Sequence, residues 1–175
     1  MEPTDENRRA WNAIHRERRP ARTGLPRIVE ATLGDLSGKR VLSLQCGTGE
    51  SSARLAELGA IVTAVDPVDA LLDEARERWP SILWIEAEAD ALPAELRRGR
   101  FDLVYSPEGV LQRVADLTTW TRGLVGAMRA GGELLVYDDH PAALCLDGLQ
   151  HWHYDYFAEG FWRLGQIVTA LVRAN

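Results

Sequence analysis

The chain has 175 residues, 46% of them hydrophobic and 26% charged, with a formal net charge of −6. That length is enough for one domain with a sizeable core, and the acidic balance argues against tight binding to a phosphate backbone. No apolar run approaches the roughly 18 residues a membrane span needs, the charged N-terminus has no hydrophobic signal region, and two cysteines, Cys46 and Cys145, suit a reducing cytoplasm rather than a disulfide scaffold.

In chain order, Ala10, Trp11 and Ile14 fall on one stripe, which predicts an amphipathic helix over 5–19 that ends near Pro20. Residues 1–30 carry seven arginines against five acids. Interleaving with Glu6 and Glu17 makes this a solvated helix face more readily than a nucleic-acid arm. Leu25, Ile28, Val29 and Leu33 mark a second helix stopped by Gly34. Strands at 41–46, 61–66, 82–87, 101–106 and 133–139 then alternate with helices near 50–58, 68–78 and 110–129. Short strands separated by helical patterns imply βαβ units, right-handed crossovers and a doubly wound α/β domain with a parallel sheet. The last helix carries the stripe Leu164, Ile167, Val168, Leu171 and Val172. The expected organisation is a single domain over 1–175: N-terminal helices to residue 35, a core over 36–140, and a loop and helix over 141–175.

The most informative stretch is Val41-Leu42-Ser43-Leu44-Gln45-Cys46-Gly47-Thr48-Gly49-Glu50, followed by Ile61-Val62-Thr63-Ala64-Val65-Asp66. A strand runs into a glycine turn and a helix, and one β-α-β unit later an acid ends the next strand. Open α/β sheets build nucleoside pockets this way, with backbone N–H groups at a helix start and a carboxylate for ribose hydroxyls. A nicotinamide dinucleotide site needs a third glycine where Ser52 stands. Cys46 reads as a packing residue of the turn.

These residues resemble the class I methyltransferases that use S-adenosylmethionine, in the small-molecule branch whose glycine word is Leu-x-Cys-Gly-Thr-Gly. The resemblance continues through Glu86–Pro93, Phe101–Ser106 and Ala130–Tyr137, and the opening Asn7–Asn12 is similar to a lid helix. Four ordered blocks cover roughly residues 5–140. The resemblance implies a Rossmann-like sheet of order 3-2-1-4-5, here without the family's usual terminal strand hairpin. It implies S-adenosylmethionine as cofactor, with Gly47 and Gly49 admitting it, Asp66 on the ribose, and Pro67 beside the adenine. Glu88, Ala89 and the rival acid Asp90 lie where the adenine edge is read. Ser106 falls near the methionine part, and Trp11 is positioned to close over the cofactor. Two positions depart from the family: an acid is usual where Ser43 stands, and a glycine where Gln45 stands. Ser43 offers only a hydroxyl for the cofactor's ammonium, and Gln45 offers amide contacts.

Methyl transfer needs mainly alignment and exclusion of water. If a general base is used, His140 and Glu108 are the first choices, with Asp138 and Asp139 nearby. His151 and His153 lack a spaced third ligand, so no metal is expected. The expected function is methylation of a small molecule by a cytoplasmic enzyme that touches neither nucleic acid nor membrane and pairs as a homodimer through the sheet edge or the C-terminal segment. The alternative is a non-catalytic binder of S-adenosylmethionine or S-adenosylhomocysteine.

Overall fold

The computed structural model describes residues 24–146, 151–157 and 162–174. The expected helix over 5–19, and Trp11 with it, lies outside these. The elements are α1 (Arg27–Leu33), β1 (Arg40–Ser43), α2 (Glu50–Glu57), β2 (Ile61–Asp66), α3 (Asp69–Arg78), β3 (Leu83–Glu86), β4 (Phe101–Ser106), α4 (Leu117–Ala127), β5 (Met128–Val136), a 3-10 turn at Pro141–Cys145, and α5 (Leu164–Ala174).

The five strands form one sheet in the order β3-β2-β1-β4-β5, and every pairing is parallel. Alternation along the buried strands sorts side chains to two faces. Val41, Val62, Leu103 and Tyr105 join Leu55, Leu72 and Ala75 of α2 and α3 on one face. Leu42, Val65 and Val104 meet Leu117, Trp120 and Leu124 of α4 on the other. Leu42, Leu55, Leu72, Trp120 and Leu124 are completely buried, each contributing roughly 1.5–3 kcal/mol of hydrophobic stabilisation. Because α2 and α3 cover one face and α4 the other, the chain reverses direction between β1 and β4. That is where a doubly wound sheet opens its ligand crevice.

Three elements differ most from the sequence expectation. The helix expected over 110–129 begins only at Leu117, where the Asp116 carboxylate accepts the N–H groups of Thr118 and Thr119. Residues 107–115 are instead a loop. β5 begins at Met128 rather than 133, because Met128 already pairs with Phe101. The register then shifts before Leu103 meets Glu133. Gly131 at φ 72° and Gly132 carry this irregularity, and a Cβ on Gly132 would stand 2.9 Å from the carbonyl oxygens of Arg129 and Phe101. β1 ends at Ser43, although Leu44 N–H still donates to Tyr105 O and Cys46 N–H to Val65 O. The end of α2 lies close to its expected place: Gly59 (φ 94°) follows it and donates back to Ala56 O at 2.9 Å.

Beyond β5, the described residues add no further strand to the sheet. They contain one isolated antiparallel bridge, Leu146 to Trp152, and α5, which packs on α4 through the buried Ile167. Trp162 Nε1 donates to Val114 O at 2.6 Å and ties this segment to the loop before α4. The apolar stripe of α5 is only partly covered: Leu164, Val168 and Val172 stay exposed.

Candidate cofactor site

The turn after β1 is built from backbone conformations that glycine supplies readily. Gly47 (φ 55°) has open space where a side chain would project. Gly49 (φ 92°) starts α2, but its missing side chain faces inward: a Cβ there would meet the Trp84 ring at 2.5 Å and Ala75 at 3.1 Å. Gly47 thus leaves room on the crevice side, whereas Gly49 admits the core beneath the turn. Thr48 Oγ1 donates to Glu50 Oε2 at 2.6 Å and stiffens the same segment.

Asp66, at the end of β2, is buried. Its Oδ2 accepts Gly47 N–H at 2.8 Å and its Oδ1 accepts Val68 N–H at 2.9 Å. The carboxylate therefore joins the glycine turn to the start of α3, and its capping contact and its place in the crevice coexist. Pro67 is half-buried and Val68 buried beside it.

After β3, Ala89 is buried and Glu88 half-buried. Asp90 Oδ2 accepts Ala115 N–H at 3.3 Å, linking this loop to the one after β4. Ser106 ends β4 completely buried. Its carbonyl accepts Tyr137 N–H at 2.9 Å, while its hydroxyl has no hydrogen-bond partner. Glu108 is exposed on the next loop. Asp138 clasps that loop, with Oδ1 accepting Gly109 N–H at 2.9 Å and Oδ2 accepting Leu111 N–H at 3.0 Å. His140 Nδ1 accepts Ala142 N–H at 3.1 Å, capping the 3-10 turn. Asp139 is exposed.

Ser43 is buried and its Oγ accepts from Ser52 Oγ at 3.0 Å. The two hydroxyls satisfy one another and bring no charge. Gln45 holds a positive φ of 39°, and its Oε1 accepts from Arg113 Nη1 at 3.2 Å. Arg113, on the loop after β4, was not singled out by the sequence. No local motif marks it, and only the unusual Gln45 opposite hinted that this corner differs. Crowding by protein atoms lowers the affinity of Arg113 for its proton, while Asp66, Asp138 and Glu88 oppose that change. The guanidinium stays charged at neutral pH. Burial, and then the Asp66 carboxylate, push the Cys46 thiol well above its ordinary range, so it is an inert packing group and not a nucleophile. Tyr105 is pushed up to about 12, mainly by burial.

Among the described residues, no three His, Cys, Asp or Glu side chains gather as a metal site would need. A groove of about 530 Å³ lies between α4 and α5, lined by Asp116, Arg122, Trp162 and Arg173 among others. The crevice fits the cofactor: Gly47 is open, the Asp66 carboxylate stands at the strand ends, and the Ser106 hydroxyl is unpartnered. The amino-acid end differs from the family pattern at Ser43 and Gln45.

A family model described as a methyltransferase domain matches residues 41–132. A demethylmenaquinone methyltransferase of Beutenbergia cavernae is 35% identical over 104 residues, covering 59% of this chain and 42% of its own length. A ubiquinone biosynthesis O-methyltransferase of Xanthomonas oryzae is 36% identical over 118 residues, covering 64% and 48%. The chain thus spans about half the length of these curated relatives. Among solved structures, an S-adenosylmethionine dependent methyltransferase from Mesorhizobium loti superposes with a TM-score of 0.72 at 25% identity, over 85% of this chain and 78% of that one. The chain belongs to the methyltransferase domain family, on the class I, S-adenosylmethionine-dependent fold.

Proposed function

We propose that the chain binds S-adenosylmethionine in the crevice between β1 and β4 and transfers its methyl group to a small-molecule acceptor. The observation that carries this reading is the Asp66 carboxylate, fixed at the strand ends by the Gly47 and Val68 N–H groups. Asp66 holds the ribose, Pro67 and Val68 wall the adenine, and Glu88, Ala89 and Asp90 border its edge. Gly47, Gln45 and Ser106 flank the opposite end, and Ser43 supports the turn through Ser52.

When bound, the cofactor supplies a methyl group on a positively charged sulfur, already activated for direct displacement. The protein's part is to align the acceptor and keep water out. With Nδ1 accepting from Ala142, neutral His140 carries its proton on Nε2, so it acts as a base only by giving up that cap. Glu108 has no such cost and takes precedence where the acceptor must lose a proton.

We further propose a cytoplasmic protein acting as one domain, without a nucleic-acid partner. No helix among the described residues is long and apolar enough to cross a membrane. Exposed Leu164, Val168 and Val172 on α5 support pairing as a homodimer, which sedimentation at micromolar concentration checks.

The test is calorimetry with S-adenosylmethionine, S-adenosylhomocysteine and NAD, followed by radiolabelled methyl transfer to an acceptor panel. Demethylmenaquinone begins the panel, since a relative bears that name. Heat for the adenosyl compounds and label in one acceptor are expected. Binding of NAD alone overturns the reading, and cofactor binding without transfer to any acceptor favours the non-catalytic alternative.

A further inference from the structure

The arginines of α2 and α3 are all paired: Arg54 with Glu30 and Glu57, Arg76 with Asp69 and Asp73, Arg78 with Glu50 and Glu74. On the helices that cover the other face of the sheet the pattern changes. Arg122 of α4 and Arg173 of α5 are exposed, and neither guanidinium has a hydrogen-bond or ion-pair partner among the described residues. Both line the one groove of about 530 Å³ between the two helices.

A guanidinium keeps its charge throughout the ordinary pH range, so the two cations repel one another across the groove. The acid in the lining does not relieve this. Asp116 is turned to the start of α4, where its carboxylate accepts the Thr118 and Thr119 N–H groups and the Thr119 hydroxyl. The rest of the lining is largely apolar, with buried Leu117 and half-buried Trp162 and Ala170. The Trp162 indole N–H is committed to Val114 O at 2.6 Å, and an indole has no second donor, so its ring is an apolar wall. Gly165 has nothing within 4 Å of where a side chain would project, which keeps the lining open there. Small-molecule sites have volumes of roughly 300–1,000 Å³, mostly apolar walls and a few convergent polar groups. This groove has all three properties. None of Leu164, Val168 and Val172 lines it, so the exposed stripe of α5 is a separate surface.

We propose that the groove between α4 and α5 binds a small aromatic anion. Its ring lies against Leu117 and Trp162, and its phosphate or carboxylate sits between Arg122 and Arg173, where planar guanidinium groups match the paired oxygens. The site shares no residue with the adenosyl crevice and stands whether or not that crevice takes its cofactor.

The experiment titrates the isotope-labelled full chain and follows its backbone amide resonances. The probes are phenyl phosphate and benzoate, with benzyl alcohol as the uncharged control, each at millimolar concentration with and without saturating S-adenosylhomocysteine. One or both anions should shift the amides of Thr118, Arg122, Gly165, Thr169 and Arg173 as a set, and the alcohol should not. The tighter anion identifies the oxyanion that the site takes. Arg122→Gln and Arg173→Gln should each weaken it by roughly tenfold or more, the scale of one charge-assisted hydrogen bond. Arg122→Lys, which keeps a point charge, should retain part of the affinity. Both arginines are exposed, and circular dichroism establishes that each variant is folded. Should a glutamine variant unfold, added salt decides the matter, because binding to exposed cations weakens as they are screened. An unmoved set with both anions overturns the proposal, as do equal shifts with the alcohol, affinity unchanged in both glutamine variants, or binding insensitive to salt. Shifts confined to the amides around Gly47 and Asp66 also overturn it, since they put the probe in the crevice.

Discussion

Two residues near the turn have separable roles. A methyl group on Gly49 would lie 2.5 Å from the Trp84 ring, at a φ of 92° that L side chains rarely adopt. Backbone strain of this kind costs on the order of 1–3 kcal/mol, and the clash adds to it. Gly49→Ala should therefore lower the urea midpoint of unfolding markedly, while Gly47→Ala, with open space around its Cβ, should suffer the φ penalty alone. Equal midpoints for Gly49→Ala and wild type would contradict the packing argument. Asp66→Ala removes the acceptor for two backbone N–H groups. It should weaken S-adenosylhomocysteine about tenfold or more and also destabilise the fold, since orphaned buried donors cost about 1–3 kcal/mol each. Calorimetry on variant still folded at low temperature separates the two effects. Unchanged affinity would restrict Asp66 to its structural task. The glycines and Asp66 were legible in the sequence because they lie within one β-α-β unit. Arg113 was not, because its partner Gln45 is 68 residues distant.

The alternation of strands and helices was legible for a related reason: buried parallel strands and amphipathic helices have different periods. Long-range hydrogen bonds decided where elements stopped. Val110, Val114 and Leu117 continue a helical spacing, yet 107–115 is a loop because Asp138, after β5, accepts Gly109 N–H and Leu111 N–H. Asp116 then starts α4 afresh. Likewise, β5 extends back to Met128 through pairing with Phe101 that no local pattern marks. The Asp138 clasp makes a prediction about the loop as a unit, since that loop carries Glu108 and Arg113. Asp138→Ala should speed amide exchange at Gly109 and Leu111 and destabilise by about 1–2 kcal/mol. It should also weaken S-adenosylhomocysteine by loosening the Arg113 side of the crevice. Exchange at both amides matching wild type would show that other contacts hold the loop.

Across the molecule, carboxylates tie distant segments together or cap local turns. Glu30 on α1 bonds Arg54 on α2, and that hydrogen bond holds its carboxyl below the ordinary range. Asp102 on β4 accepts from Arg129 on β5 and from Arg40 N–H on β1, and the Arg129 bond is the larger cause of its lowered pKa. Hydrogen bonding from Thr119 lowers Asp116, and backbone N–H donation from Ser37 lowers Asp35. For Glu50, burial pushes the other way, but bonds from Thr48 and Arg78 outweigh it. In every case the folded chain holds its proton less tightly than the unfolded chain. The stabilisation is therefore complete above the unfolded carboxyl values, about pH 4, and is lost as pH falls through the lower folded values. The expected result is a urea midpoint nearly level from pH 7 to 5 that drops steeply between about pH 4 and 2. Glu30 and Asp102 contact arginines near the surface, so part of their share should also fade in 1 M salt, where screening acts within about 3 Å. The charge-neutral variant Asp102→Asn should flatten the acid limb and lower the midpoint at pH 7. A midpoint independent of pH down to 3 would mean that these carboxylates bind protons equally in both states and that Asp102 does not help hold β1, β4 and β5 in register.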